Sequence, residues 1–89
     1  MHIYASFNDT TFEIYSYNVK IMIVDTTNKQ AIVNSKYLDY SSTTTRHFTK
    51  ALGMFGVDAN IKQIRNTIQN YFTNGNVLQI QGFDILPIQ

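Results

Sequence analysis

The hydrophobic pattern of the chain changes its period at Ser41, and this change constrains the fold more than any other feature. Before Ser41, apolar and polar residues alternate with a period of two over residues 12–17 and 19–24, as in half-buried β-strands. After Ser41, apolar residues recur at the three- and four-residue spacing of one helix face. They are Phe48, Ala51, Leu52 and Phe55. Strands followed by helices are the order of an α+β domain.

The front half of the chain predicts an antiparallel meander. The turn sequence at residues 25–30 includes Asn28, which tolerates a left-handed conformation, and residues 30–35 form the returning strand of a hairpin. Residues 2–7 are a candidate for one more strand before the turn residues Asn8 and Asp9.

A second helix is predicted to begin after Asp58 as its N-cap and to end at Asn74 and Gly75. Its apolar residues form one face. They are Ile61, Ile64, Ile68, Tyr71 and Phe72. Gly56 stands where a left-handed cap would close the first helix.

The last segment, residues 77–88, alternates as one strand, with Gly82 as a candidate bulge and Pro87 confining it to an edge or an end. The predicted fold is α+β, with an antiparallel sheet of about four strands and two helices packed on one face in the order β-β-β-α-α-β. A chain of 89 residues is too short for two cores, so residues 1–89 are expected to form a single domain.

Composition limits the function classes. The formal net charge is +1, so a nucleic-acid contact would need a local basic patch. The chain has no cysteine, which excludes disulfides, a thiol nucleophile and thiolate metal ligands. The sequence shows neither a signal-peptide pattern nor a long apolar run, and we expect a soluble, cytoplasmic protein without membrane contact.

The segment YSSTTTRHFTK at the start of the first helix has two interpretations. In the first, the hydroxyl residues only cap the helix. In the second, because one hydroxyl is sufficient for a cap, the others belong to a contact surface for an acidic partner or a nucleic-acid backbone. The candidate partner-binding residues are Tyr40, Thr44, Thr45, Arg46, His47 and Lys50. Because they lie off the apolar stripe, Arg46, His47, Thr49 and Lys50 are expected to face solvent.

Catalysis is not expected. The two histidines, His2 and His47, show no spacing that pairs either with an acid or a nucleophile, and neither a metal nor a cofactor site is indicated. Nucleic-acid binding is the stronger alternative, because Lys62 and Arg65 lie one helical turn apart, as do Arg46 and Lys50. Cations at this spacing are also typical of a solvated helix face.

Residues 40–47 resemble the Y-S-x-T-T-S-K-H signature of a family of small proteins of unknown function encoded by phages and plasmids of low-GC Gram-positive bacteria. Ser16, Tyr17 and Asn18, followed by the apolar residues 21–24 and Asp25, resemble that family's S-Y-[NG]-T-x-[IV] strand and acidic turn. The resemblance covers residues 14–48. In it Val19 replaces a threonine, while Thr45 and Arg46 replace serine and lysine.

The resemblance implies a mobile-element protein without a transferable activity. It favours a non-enzymatic binding protein in the cytoplasm of a bacterial host, which inhibits a host protein such as a CRISPR or other defence-system effector by direct contact. The alternative is a small nucleic-acid-binding regulatory protein that uses its basic helix faces. The apolar C-terminal segment FDILPIQ either completes the sheet or offers an edge for strand pairing, and in the second case a homodimer is expected.

Overall fold

The computed structural model describes residues 3–88 and has an α+β fold with two helices and a six-stranded mixed sheet. The strands are β1 (Ile3–Asn8), β2 (Thr11–Ser16), β3 (Val19–Asp25), β4 (Gln30–Val33), β5 (Leu78–Ile80) and β6 (Phe83–Pro87). The helices, α1 (Ser42–Gly53) and α2 (Ile61–Asn74), lie between β4 and β5 in the chain. A short 3-10 turn, Ser35–Tyr37, precedes α1.

The strand order is β1-β2-β3-β4-β6-β5. Strands β1 to β4 form the predicted antiparallel meander, whereas β6 returns beside β4 and runs parallel to it, with Ala31 opposite Ile85. Strand β5 pairs antiparallel with β6 at the far edge. The two helices connect β4 to β5, which runs in the direction opposite to β4. The β5–β6 hairpin then reverses the chain again, so β6 runs parallel to β4.

The core lies between the two helices and one face of the sheet. Most strand residues that point to this face between β2 and β6 are buried, and so are the central apolar residues of both helices. Examples are Ile14, Val24, Ile85, Phe48 and Ile64. A bulge between β2 and β3 lets both Ile21 and Met22 contribute to the core. The main contacts of both helices are with this core face, and we call the opposite face the uncovered sheet face. Tyr71 of α2 lines a groove with three residues of that face, Ile23, Ile32 and Leu86.

Two predictions about strands are wrong in detail. The predicted last strand, residues 77–88, is a hairpin of two strands, because Gln81 and Gly82 take φ values of 48° and 88° and form a two-residue turn instead of a bulge. The four-stranded antiparallel sheet therefore becomes a six-stranded mixed one. Of the two positions predicted for Pro87, an edge or an end, the structure has the end: Pro87 is the last residue of β6, which completes the sheet between β4 and β5.

The helix boundaries are partly as predicted. Gly75 closes α2 in the left-handed region at φ 73°, as expected. The N-cap of α2 is Asn60 and not Asp58, because Asn60 and Gln63 form a reciprocal capping box with two bonds of 2.9 Å. In the turn before β4 the left-handed residue is Lys29, at φ 54°, and not Asn28.

The candidate strand at residues 2–7 corresponds to β1, and His2 lies outside the described residues. Between residues 3 and 88, neither helix combines the length and the apolar character that crossing a bilayer requires.

Candidate binding surface

Most of the hydroxyl residues at the start of α1, residues 41–45, form hydrogen bonds within the protein. Ser41, in an extended conformation, caps the helix by accepting a bond from the Thr44 N–H at 3.1 Å. The Thr45 hydroxyl donates to the Leu38 carbonyl at 2.6 Å and ties the helix to the preceding segment. Thr44 is itself buried and lies 3.4 Å from the Ser16 hydroxyl. These three contacts explain most of the hydroxyls without an anion.

His47 is buried, which contradicts the expectation that it faces solvent. Only 8% of its surface is exposed, and its Nδ1 lies 2.6 Å from Ser16 Oγ, within hydrogen-bond distance. The ring of Tyr17 packs nearby, with its centroid 6.1 Å from that of the imidazole. The buried stripe of α1 is wider than its apolar residues indicate, because it also includes Thr44 and His47.

The signal that could have located His47 is Ser16. Ser16 alternates with Phe12 and Ile14 and therefore points towards the core. A small polar side chain at such a position needs a hydrogen-bond partner, and a helix above β2 must supply one. Two predicted contact residues, Thr44 and His47, therefore belong to the interior and are not available to a partner.

The Ser16–His47 pair has the two side chains of an activated nucleophile, but a substrate cannot reach it. In serine hydrolases a histidine nitrogen accepts the hydroxyl proton while the oxygen attacks a substrate carbonyl. Ser16 is 2% exposed, beneath α1, so a substrate does not reach its oxygen. The pair contributes to packing and hydrogen bonding between α1 and β2.

The water-facing side of α1 carries the cations. Arg46 and Lys50 are both exposed and lie one turn apart on the helix. Arg46 also lines a shallow groove with Asn60 and Ile61 at the start of α2. Lys62, which follows Ile61 in α2, is exposed as well, so both helices carry exposed cations.

Arg65 lies further along α2 and pairs with the carboxylate of Asp39, two residues after the 3-10 turn. Its Nε and Nη2 atoms are 2.8 Å and 2.5 Å from Asp39 Oδ1. Both side chains remain substantially exposed, so the ion pair adds little stability. Tyr40 follows Asp39, is 71% exposed, and packs edge-to-face on Tyr37 with centroids 5.3 Å apart.

The exposed aromatic residue Phe72 also lies in this region. Phe72 was placed on the apolar face of α2, but its side chain is 60% exposed. The buried stripe of α2 is formed by Ile64, Thr67 and Ile68, so Phe72 lies at its border. Phe72 lines a groove of about 400 Å³ between α2 and the 3-10 segment. The other lining residues are Ser35, Leu38, Asp39, Arg65, Asn66, Ile68 and Gln69.

Four tyrosines, Tyr15, Tyr17, Tyr37 and Tyr40, do not form one cluster. Tyr15 lies on the uncovered sheet face and stacks on Tyr4, with centroids 5.0 Å apart. Tyr17 lies beside His47, whereas Tyr37 and Tyr40 lie before α1. Tyr15 thus stabilises a cross-strand pair and is separated from the helix layer by the sheet.

The helices and the uncovered sheet face differ in their charged residues, although Asp39 pairs with Arg65 beside α2. We call the outward sides of α1 and α2 the helix layer surface. The two helices contain four cations and no Asp or Glu; the cations are Arg46, Lys50, Lys62 and Arg65. The uncovered sheet face carries three carboxylates and one cation. They are Glu13, Asp25, Asp84 and Lys20.

Two carboxylates of the sheet face, Glu13 and Asp25, have lowered pKa values. A hydrogen bond with Lys20, at 2.5 Å between Nζ and Oε2, lowers the pKa of Glu13, and the same bond raises the pKa of Lys20. The Asn28 backbone N–H is the main cause of the lowered pKa of Asp25, followed by the Asn28 side chain. Glu13 and Asp25 therefore keep their negative charge to a lower pH than an ordinary carboxylate.

No protein-family model, curated protein or solved structure matches the chain. The resemblance to the phage and plasmid family stays a prediction. Within residues 3–88, groups of three or more His, Asp or Glu side chains that could hold a metal ion do not occur.

Proposed function

We propose that this protein is a non-enzymatic binding protein whose helix layer surface contacts an acidic region of a host protein and inhibits it. The observation that carries the proposal is that both helices lack carboxylates, carry four cations and lie on the same side of the sheet. Cations on one face attract a complementary negative surface and raise the rate of encounter.

The aromatic residues beside Arg65 favour a protein partner. Tyr40 and Phe72 are among the most exposed large side chains of the described residues. Phe72 lines a groove together with Arg65 and the buried Leu38, and Tyr40 follows Asp39, the ion-pair partner of Arg65. Aromatic residues and arginine dominate the energetic centres of protein interfaces, where partner side chains fill such grooves. The choice of a host protein, for example a CRISPR or other defence-system effector, is supported by the resemblance to phage and plasmid proteins.

Nucleic-acid binding is the second candidate, and the carboxylate-free helices favour it as well. Asn66 and Gln69 line the same groove and have the hydrogen-bonding groups that read base edges. If all four helix cations contacted phosphates, the logarithm of the binding constant would fall with the logarithm of salt concentration at a slope of about −3 to −4.

A charge-matched pair of double variants tests the proposal. In one, Arg46→Gln is combined with Lys62→Gln, which removes a cation from each helix. In the other, Lys20→Gln is combined with Lys29→Gln, which removes the same charge from strand β3 and the turn after it. Capture of a host protein on immobilised protein is expected to weaken about tenfold for the first variant and to be retained by the second. Equal loss in both variants, or in neither, would refute the helix layer surface as the contact.

A gel-shift assay with mixed DNA and RNA at low and moderate salt separates the two candidates. The host-protein proposal predicts stoichiometric capture at moderate salt and no shift of nucleic acid there. A shift that disappears steeply with salt and depends on Arg46 and Lys62 would favour the nucleic-acid alternative.

A further inference from the structure

The two edges of the sheet differ in how much backbone they leave for another strand. Strand β5 is three residues long, and a short edge strand gives little to a partner. Strand β1 has six residues, all of them in register with β2 on one side only. The long open edge of the sheet is therefore β1.

Strand β1 also lacks the features by which proteins protect an edge. Its sequence, IYASFN, contains no charge and no proline, and its pairing with β2 has no register shift. The side chains from Tyr4 to Asn8 are exposed, and Phe7, at 72%, is the most exposed of the large hydrophobic residues. An edge with these properties is suited to pair with another strand.

The hairpin geometry fixes which backbone groups point away from the sheet. The Asp9–Thr10 connection has two residues, so Asn8 and Thr11 form the hydrogen-bonded pair that closes the hairpin. Hydrogen-bonded and non-bonded pairs alternate in an antiparallel ladder. The N–H and C=O groups of Ile3, Ala5 and Phe7 are consequently directed away from β2.

We infer that two copies of this chain pair antiparallel through β1, around a two-fold axis at Ala5. In this register Ala5 faces Ala5 of the second copy, and Ile3 faces Phe7 in both directions. All three are residues whose backbone groups point outward, so the pairing forms about six backbone hydrogen bonds. The two six-stranded sheets become one continuous sheet.

The side chains fit a second copy. Ile3, Ala5 and Phe7 lie on the helix side of the sheet, since their partners on β2 are Ser16, Ile14 and Phe12. Each Phe7 would cover Ile3 of the other copy while keeping its stacking contact with Phe12, at 5.5 Å between centroids. No charged residue lies on the strand, so self-pairing opposes no like charges.

The pairing is independent of the proposed function and has its own consequence. A two-fold axis perpendicular to the sheet keeps both helix layers on the same side. The dimer would present two copies of the helix layer surface to one partner.

Hydrogen exchange followed by NMR, together with sedimentation from micromolar to millimolar protein, tests the inference. Sedimentation is expected to show a monomer–dimer equilibrium. The amides of Ile3, Ala5 and Phe7 should become protected as the concentration rises, while those of Tyr4 and Ser6, bonded to β2, are protected throughout. A monomer at every concentration, or a dimer in which the amides of Ile3, Ala5 and Phe7 stay unprotected, would overturn the inference and leave β1 to a different partner.

Two variants of Ala5 and one control complete the test. Ala5→Lys places two ammonium groups across the axis and should raise the dimer dissociation constant about tenfold or more. Ala5→Pro removes an outward N–H that β2 does not use, so it should abolish pairing and retain the fold. Gln79→Lys adds the same charge to the other edge strand and should leave the dissociation constant unchanged. A constant that responds equally to Ala5→Lys and Gln79→Lys contradicts the β1 interface.

Discussion

Helix α1 has two sides that are both polar in sequence but have opposite surroundings. On the sheet-facing side, Thr44 and His47 are buried and contact Ser16. On the water-facing side, Arg46 and Lys50 are exposed within the same two turns. The difference shows that the surroundings of a polar helix residue, here either Ser16 on the sheet or water, decide whether it stabilises the fold or is available for binding. Residues on the first side should therefore affect stability, and residues on the second side should affect binding.

The largest expected effect is that of His47→Ala. The substitution leaves a cavity beneath α1 and removes the shorter of the two hydrogen bonds of the buried Ser16 hydroxyl, so the free energy of unfolding should fall by about 2–4 kcal/mol. Urea unfolding at neutral pH measures this change. Arg46→Ala, on the other side of the helix, is the control and should stay within about 0.5 kcal/mol of wild type. A larger loss for Arg46→Ala would reverse the assignment of the two sides.

Thr45→Val should have a smaller effect on stability. It preserves the shape of the side chain but leaves the Leu38 carbonyl without the donor that lies 2.6 Å away, at a cost of about 1 kcal/mol. Thr43→Val makes the same chemical change two residues earlier and controls for helix propensity. If both variants lose the same stability in urea, the Thr45–Leu38 bond does not anchor the helix.

Asp39→Asn should separate stability from binding. It breaks an exposed ion pair, so the free energy of unfolding should change by at most about 1 kcal/mol. It also releases Arg65 and removes a negative charge near the helix layer surface, so affinity for an acidic partner should increase. Asp9→Asn, in the turn after β1, makes the same charge change away from the helices. Titration calorimetry with the captured partner compares the two, and weaker binding by Asp39→Asn would count against the proposal.

The smallest expected effect concerns Asp25 on the uncovered sheet face. Because hydrogen bonds from Asn28 lower its pKa from 3.8, its ionised form stabilises the fold above that value. This contribution is lost as the pH falls through the lowered pKa. Asp25→Asn should therefore reduce the loss of stability between neutral pH and about pH 3 while leaving partner binding unchanged. An unchanged pH profile would show that the carboxylate does not stabilise the turn.

The sequence predicted what depends on local patterns. The meander of β2, β3 and β4 follows from alternation, and the end of α2 follows from Gly75, since glycine adopts φ 73° without strain. The parallel pairing of β4 with β6 was missed because it joins segments about fifty residues apart, and the alternation of residues 77–88 concealed the turn at Gly82.

The candidate site was predicted less well than the fold. Arg46, Lys50 and Tyr40 are exposed as expected, but His47 pairs with a serine 31 positions earlier, which helical periodicity alone does not reveal. Phe72 was assigned to the core because it is apolar, although its position at the border of the stripe exposes it. In both cases the position of the residue relative to the sheet, and not its type, decides whether the side chain is buried.

The central claim, that the helix layer surface is the contact, is tested most directly by chemical-shift mapping. Isotope-labelled protein is titrated with the partner recovered in the capture experiment. The account predicts that the largest shift changes occur at Arg46, Lys50, Lys62 and Arg65. Changes concentrated instead at Glu13, Tyr15 and Asp84, on the uncovered sheet face, would contradict it.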